Sequence, residues 1–169
     1  MKIRKRVRPP EQSVLFVCMG NICRSPTAEA VFRDLAMRSG VGDALLVDSA
    51  GTGDWNVGAP PDRRAVEAAR RRGYDLSALR ARTVRPADFA RFGWILAMDQ
   101  QNLRTLEAMR PPDYAGYLGL FLTLAPQLGM EELPDPYFGS PAGFERVLDL
   151  VESAAQALLE RVRTGGVPQ

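Results

Sequence analysis

The residues whose types and spacing could do chemistry are Cys18 and Arg24, in the pattern Cys-x5-Arg, with Ser25 directly after them. The apolar run Val14-Leu15-Phe16-Val17 that leads into Cys18 reads as a buried strand. Ser25-Pro26 reads as a helix start, with Ser25 as the N-cap candidate and Pro26 in the first turn. A strand, a short loop and a helix would then hold one thiol at a helix N-terminus, where unpaired N–H groups and the helix dipole favour an anion. Arg24 can grip two oxygens of a phosphate at once. The segment Met19, Gly20, Asn21, Ile22, Cys23, Arg24 and Ser25 would supply the donors around that anion, with Gly20 expected to permit the turn and Asn21 to brace the loop by side-chain hydrogen bonds. An ordinary thiol, with a pKa near ~8.5, is only about 3% thiolate at pH 7. The helix N-terminus, Arg24 and the Ser25 hydroxyl would all raise that fraction at Cys18. The chemistry implied is attack of sulfur on a bound phosphate. Taken alone, Cys18 reads as a small apolar residue ending a core strand. Arg24 alone reads as an exposed helix-start residue, badly placed against the dipole unless an anion sits between them.

The elements that must position these groups alternate. Helical spacing runs from Pro26 to about Arg38 and stops at Gly40, and Leu45-Leu46-Val47-Asp48-Ser49 reads as a second strand. A Gly/Pro/Asn-containing loop spans residues 51–61, followed by an Ala/Arg/Glu-rich helix over 62–72 with Gly73 as its C-cap. Trp94 to Met98 reads as a third strand, Asp99 as the cap of the next helix, and Pro111-Pro112 as its end. Tyr117 to Leu124 is ambiguous, 126–136 is loop, and Pro141 to about Arg163 is a long last helix. Such alternation implies a parallel sheet with helices on both faces, and ligands beyond the carboxyl ends of its strands.

With 169 residues the chain suits one domain. Lys2, Arg4, Lys5, Arg6 and Arg8 make a basic N-terminal extension over residues 1–12, expected to be disordered and lacking the apolar stretch of a secretory signal. The near-neutral remainder argues against a nucleic-acid surface, and no apolar run suits a membrane span. Two cysteines cannot form a disulfide framework, so the cytoplasm is the expected compartment. There is no histidine. That excludes Cys–His and Ser–His–Asp hydrolases and disfavours zinc, leaving proton transfer to a carboxylate, a tyrosine or water.

The fuller run Val-Cys-Met-Gly-Asn-Ile-Cys-Arg-Ser-Pro-Thr-Ala-Glu resembles the low-molecular-weight protein tyrosine phosphatases. Asp48-Ser49-Ala50-Gly51, Asp54-Trp55-Asn56, Ala97-Met98-Asp99 and Pro134-Asp135-Pro136-Tyr137 follow in that family's order, so the resemblance covers Ser13 to Arg163 and leaves residues 164–169 as a tail. It implies an α/β, single-domain three-layer sandwich (phosphotyrosine phosphatase I-like), with Tyr117 to Leu124 supplying the fourth strand of a parallel sheet. It implies hydrolysis of phosphotyrosine in proteins, and of small aryl phosphates, through a phosphocysteine, without metal or other cofactor; the oligomeric state is left open, with a monomer expected. Asp135 would be the general acid, although Asp between two prolines is also an ordinary turn residue. Trp55 and Tyr137 would wall a slot for the phenyl ring, and Cys23 would trap oxidised Cys18 as a reversible disulfide. Asp99, Ser49 and Asp62 read as caps and braces. Phe138-Gly139 looks more like the family's eukaryotic-type branch. Two rivals stay open. Thioredoxin-type arsenate reductases share the loop but need resolving cysteines further on, and this chain has none after Cys23. A phosphotyrosine-binding module without turnover would have no use for the thiol or the acid.

Overall fold

The computed structural model describes residue 10 and residues 12–165. Most of the basic extension and the last four residues lie outside the described residues. Four strands form one parallel sheet in the order β2-β1-β3-β4: β1 Ser13–Cys18, β2 Leu46–Gly51, β3 Trp94–Ala97 and β4 Tyr117–Leu120. The helices are α1 Arg24–Arg38, α2 Arg63–Arg71, α3 Asp88–Arg91, α4 Gln100–Met109 and α5 Pro141–Arg163.

β1 is buried along its whole length because it pairs on both sides and is covered on both faces. Its side chains alternate between two cores. Val14, Phe16 and Cys18 face α1, α2 and α5, whereas Leu15 and Val17 face α3 and α4. Phe16 meets Phe32 of α1 and Phe121 edge-on, at ring-centroid distances of 5.8 and 5.1 Å. Burial of each such side chain stabilises the fold by about 2 kcal/mol. The result is the three-layer α/β sandwich expected from the alternation.

Three sequence expectations are adjusted. Helix α1 starts at Arg24, with Cys23 as N-cap, so Ser25 is not the cap. The Thr27 hydroxyl donates to the Cys23 carbonyl at 2.7 Å, while the Ser25 hydroxyl is taken by the loop. Only the first half of Tyr117 to Leu124 is strand, and Phe121–Leu124 coils into a 3₁₀ turn. The left-handed turn in the loop falls on Asn21 (φ 55°), not on Gly20. Among the described residues no helix is long and apolar enough to cross a membrane.

With β2 on one side of β1 and β3 on the other, the chain reverses its winding between β1 and β3. Open α/β sheets bind ligands at such a point, beyond the carboxyl ends of the strands. The loop after Cys18 and the residues after Ala97 meet there.

Candidate active site

The loop 19–23 is fixed from three directions. Thr52 and Gly53, just past β2, donate their N–H groups to the carbonyls of Cys18 and Met19, both at 2.9 Å. Gly51 makes that approach possible, because a Cβ there would lie 2.7 Å from the Met19 carbonyl oxygen. Asp62, at the start of α2, donates its N–H to the Ile22 carbonyl at 2.8 Å. Asn21 is buried and spans the loop from inside. Its Nδ2 donates to Ser25 Oγ at 2.7 Å and Ser49 Oγ at 3.0 Å, and its Oδ1 accepts the Arg82 N–H at 3.0 Å. Those bonds hold Asn21 in the left-handed region, which its short polar side chain tolerates better than most.

Cys18 Sγ lies 3.0 Å from Ser25 Oγ and 3.3 Å from the Asn21 N–H nitrogen. Behind them, Ser49 Oγ donates to Glu29 Oε1 at 2.7 Å, and Arg33 Nη2 lies 2.7 Å from Glu29 Oε2. Burial is the main cause that raises the Glu29 carboxyl above its usual range; the Ser49 hydrogen bond and Arg33 oppose it. Cys23 is buried in the same loop. Burial first, then the charges of Asp62, Cys18 and Asp135, push its thiol up to about 12. Both cysteines are free thiols.

Arg24 leaves the first turn of α1 sideways. Its Nη1 donates to Asp99 Oδ2 at 2.8 Å and to the Leu133 carbonyl at 3.0 Å, and its Nη2 lies 3.7 Å from Asp135 Oδ2. Asp99 also caps α4 by accepting the Asn102 N–H at 2.8 Å, so it is the brace and cap expected of it. Leu133 donates its N–H to the Met98 carbonyl at 2.8 Å, which pins the loop bearing Asp135 to the end of β3. Asp135 itself accepts the Tyr137 N–H at 3.0 Å.

A cleft of about 240 Å³ opens over this loop. Cys18, Met19, Gly20, Ile22, Cys23 and Arg24 line it from one side, and Trp55, Asp135 and Tyr137 from others. Of the residues expected to contact phosphate, Asn21 and Ser25 do not line the cleft. They stand beside and behind the sulfur, and the Asn21 N–H points at Sγ. Trp55 and Tyr137 are exposed, with relative accessibilities of 65% and 43%, as loop placement suggested. Asn56 and Phe138 also line the cleft, without having been picked as wall residues. The aromatic pair Tyr137-Phe138 beside Asp135 was a usable signal. Ser25 and Glu29 share a helix face four residues apart, which was the signal for Glu29.

The fold and the cleft together define a class: a parallel α/β protein with Cys-x5-Arg at the carboxyl end of its central strand and an aspartate loop across from it. Residues 13–166 match the family described as low molecular weight phosphotyrosine protein phosphatase. The chain belongs to that family. It is 43% identical over 154 residues to the low molecular weight phosphotyrosine protein phosphatase of Sus scrofa, covering 90% of this chain and 96% of that one. The crystal structure of YfkJ from Bacillus subtilis superposes with a TM-score of 0.85 at 38% identity, covering 93% of this chain and 98% of that one. A protein tyrosine phosphatase from Entamoeba histolytica, in a product-state mimic, superposes with a TM-score of 0.88 at 34% identity, covering 94% and 99%.

Proposed function

We propose that this protein is a protein tyrosine phosphatase in which Cys18, Arg24 and Asp135 carry the reaction, with residues 13–163 as the catalytic unit. The observation that carries this reading is the convergence of the three on one cleft: Cys18 at the head of α1, Arg24 spanning from Asp99 toward Asp135, and Asp135 across the opening. The Ser25 hydroxyl and the Asn21 N–H lie 3.0 and 3.3 Å from the sulfur and hold it at the floor of the cleft.

In the first step the Cys18 thiolate attacks phosphorus and the bond from phosphorus to the phenolic oxygen breaks. Asp135, protonated, gives its proton to that oxygen, whose free pKa is ~10, so phenol leaves and phosphocysteine remains. In the second step water attacks phosphorus while the Asp135 carboxylate takes a proton from it. The S–P bond breaks, releasing inorganic phosphate and restoring the thiolate. Arg24 and the N–H groups of the loop bind the phosphate oxygens and stabilise the charge on them in both transition states. Trp55 and Tyr137 flank the phenyl ring, and their exposure leaves room for the polypeptide that bears it. The partner is a phosphotyrosine-containing protein, and the setting is a cytoplasmic monomer that needs no metal or cofactor.

The arsenate-reductase reading lacks its further cysteines. The binding-module reading leaves Asp135 and the thiol without purpose. The test is hydrolysis of p-nitrophenyl phosphate and a phosphotyrosyl peptide, with Cys18→Ser as control. Turnover that is insensitive to chelators and lost in C18S is expected. Tight peptide binding without turnover by the wild type would replace the enzyme with the module.

A further inference from the structure

Asp135 sits on a loop and its side chain is 45% exposed, so something other than burial must hold it on target. The contacts that do so form a circuit through α2. The Asp62 N–H ties the start of α2 to the Ile22 carbonyl of the phosphate loop, as above. The Asp62 carboxylate accepts from the Arg64 N–H at 2.8 Å and grips the Arg64 guanidinium twice, Nε to Oδ1 at 3.1 Å and Nη2 to Oδ2 at 2.9 Å. The same Nη2 donates to the Tyr137 carbonyl at 2.9 Å. The guanidinium carbon lies 5.5 Å from the centre of the Tyr137 ring and 4.7 Å from that of Phe144. Tyr137 in turn donates its N–H to Asp135 Oδ1, leaving Oδ2 toward Arg24.

We propose that Arg64 is the positioning residue of the general acid: by fixing the Tyr137 carbonyl it orients the Tyr137 N–H that holds Asp135 Oδ1, and so aims Oδ2 at the leaving oxygen. This rests on the assignment of Asp135 as the acid. Arg64 suits the task because its planar fork serves Asp62 with two nitrogens while one of them also reaches a carbonyl and the plane stacks on rings. A lysine would keep the charge and lose the fork. Arg64 is not among the residues that line the cleft. Its effect therefore reaches the reaction only through how well the leaving group is protonated.

That route predicts a leaving-group signature. kcat/KM covers the steps up to transfer of phosphate to sulfur, and a misplaced acid harms poor leaving groups most. Arg64→Met is expected to lower kcat/KM about tenfold on phenyl phosphate and less than about threefold on p-nitrophenyl phosphate, with inhibition by vanadate within about twofold of wild type. Arg64→Lys is expected to recover only part of the ratio. In an Asp135→Ala background Arg64→Met is expected to change the ratio no further. Equal losses on both substrates, or a further change in the Asp135→Ala background, would overturn the proposal. If Arg64→Met does not fold, Arg64→Lys decides: a wild-type ratio there overturns it equally. Should Asp135→Ala itself leave the ratio unchanged, the acid assignment falls and this inference with it. If Asp135→Ala raises the ratio and neither Arg64 variant does, this inference alone falls.

Discussion

Replacement of Asn21 is expected to be costly, and the cost divides into two parts that can be measured separately. The side chain is 3% exposed and makes three hydrogen bonds, to Ser25, Ser49 and the Arg82 N–H. At about 1 kcal/mol net for each, Asn21→Ala loses about 3 kcal/mol from these bonds. The φ of 55° adds about 1 kcal/mol, because alanine resists the left-handed region. The total of about 4 kcal/mol, in a chain of this size, corresponds to a fall in Tm of about 12 °C. Asn21→Gly removes the same bonds but keeps the backbone comfortable, so it should lose only about 3 kcal/mol. The greater freedom of glycine in the unfolded chain narrows that gap without reversing it. Urea unfolding of the three proteins, followed by tryptophan fluorescence, measures both parts. A loss below about 1 kcal/mol in Asn21→Ala, or a glycine variant less stable than the alanine variant, would refute the account of the loop. Both variants should also turn over more slowly, by about tenfold or more, because Ser25 Oγ is then free to leave Cys18 Sγ.

Asp135→Ala is expected to lower turnover of aryl phosphates by ~10²–10⁴ while Cys18 still reacts with iodoacetate, read by mass spectrometry; equal turnover would remove Asp135 from the mechanism. For Glu29 the folded-state pKa is raised above its usual 4.5, so the folded protein binds a proton there more readily than the unfolded chain. Its contribution to stability is therefore full below about pH 4.5 and declines as pH rises through the folded value. Glu29→Gln should flatten that decline in urea melts run across the window, and an unchanged slope would count against it. Cys23, with its thiol pushed up to about 12, should resist alkylation at pH 8 in a Cys18→Ser background until the protein is unfolded. If Cys23 traps a Cys18 sulfenic acid as a disulfide, releasing water, then Cys23→Ser should lose activity to peroxide irreversibly where wild type recovers with dithiothreitol; identical recovery would end that idea.

The elements that carry strong local signals were legible from the residues alone. The apolar run of β1, the Asp99 cap, Gly40 and Gly73 at φ 79° and 90°, and the 141–163 helix all stand where the pattern put them. Cys18, Arg24 and the loop between were legible for the same reason, since they occupy one contiguous stretch. The helix start differs because the Ser25 hydroxyl, a capping group by type, is taken by Asn21 Nδ2 and Cys18 Sγ, and Cys23 stands at the N-cap without a side-chain cap bond. Pro26 is tolerated in the third helical position, where its missing N–H would have had no partner in the helix. The ambiguity of Tyr117 to Leu124 was also physical. Phe121, Leu122 and Leu124 are buried in a 3₁₀ turn that leaves only Thr123 exposed, and so short an apolar stretch shows no period to read. The contact between Arg64 and Tyr137, 73 residues apart, leaves no periodic trace in either segment.

An arginine in the first turn of a helix has to be explained, because the dipole there repels it. The structure shows how the repulsion is offset without a ligand. Arg24 Nη1 pairs with Asp99 at 2.8 Å, and both side chains are largely buried, 3% and 17% exposed. That pair fixes one edge of the guanidinium and leaves Nη2 only a 3.7 Å contact with Asp135. Asp99 is spent on Arg24 and on the cap of α4, so its charge is satisfied before substrate arrives. Asp135 is held less closely, by that 3.7 Å contact and by the Tyr137 N–H on Oδ1, so that under the proposed mechanism an entering phosphate would compete with it for Nη2. One guanidinium anchored on one edge and open on the other is therefore placed, under the proposed mechanism, to take phosphate oxygens without giving up its hold on Asp99.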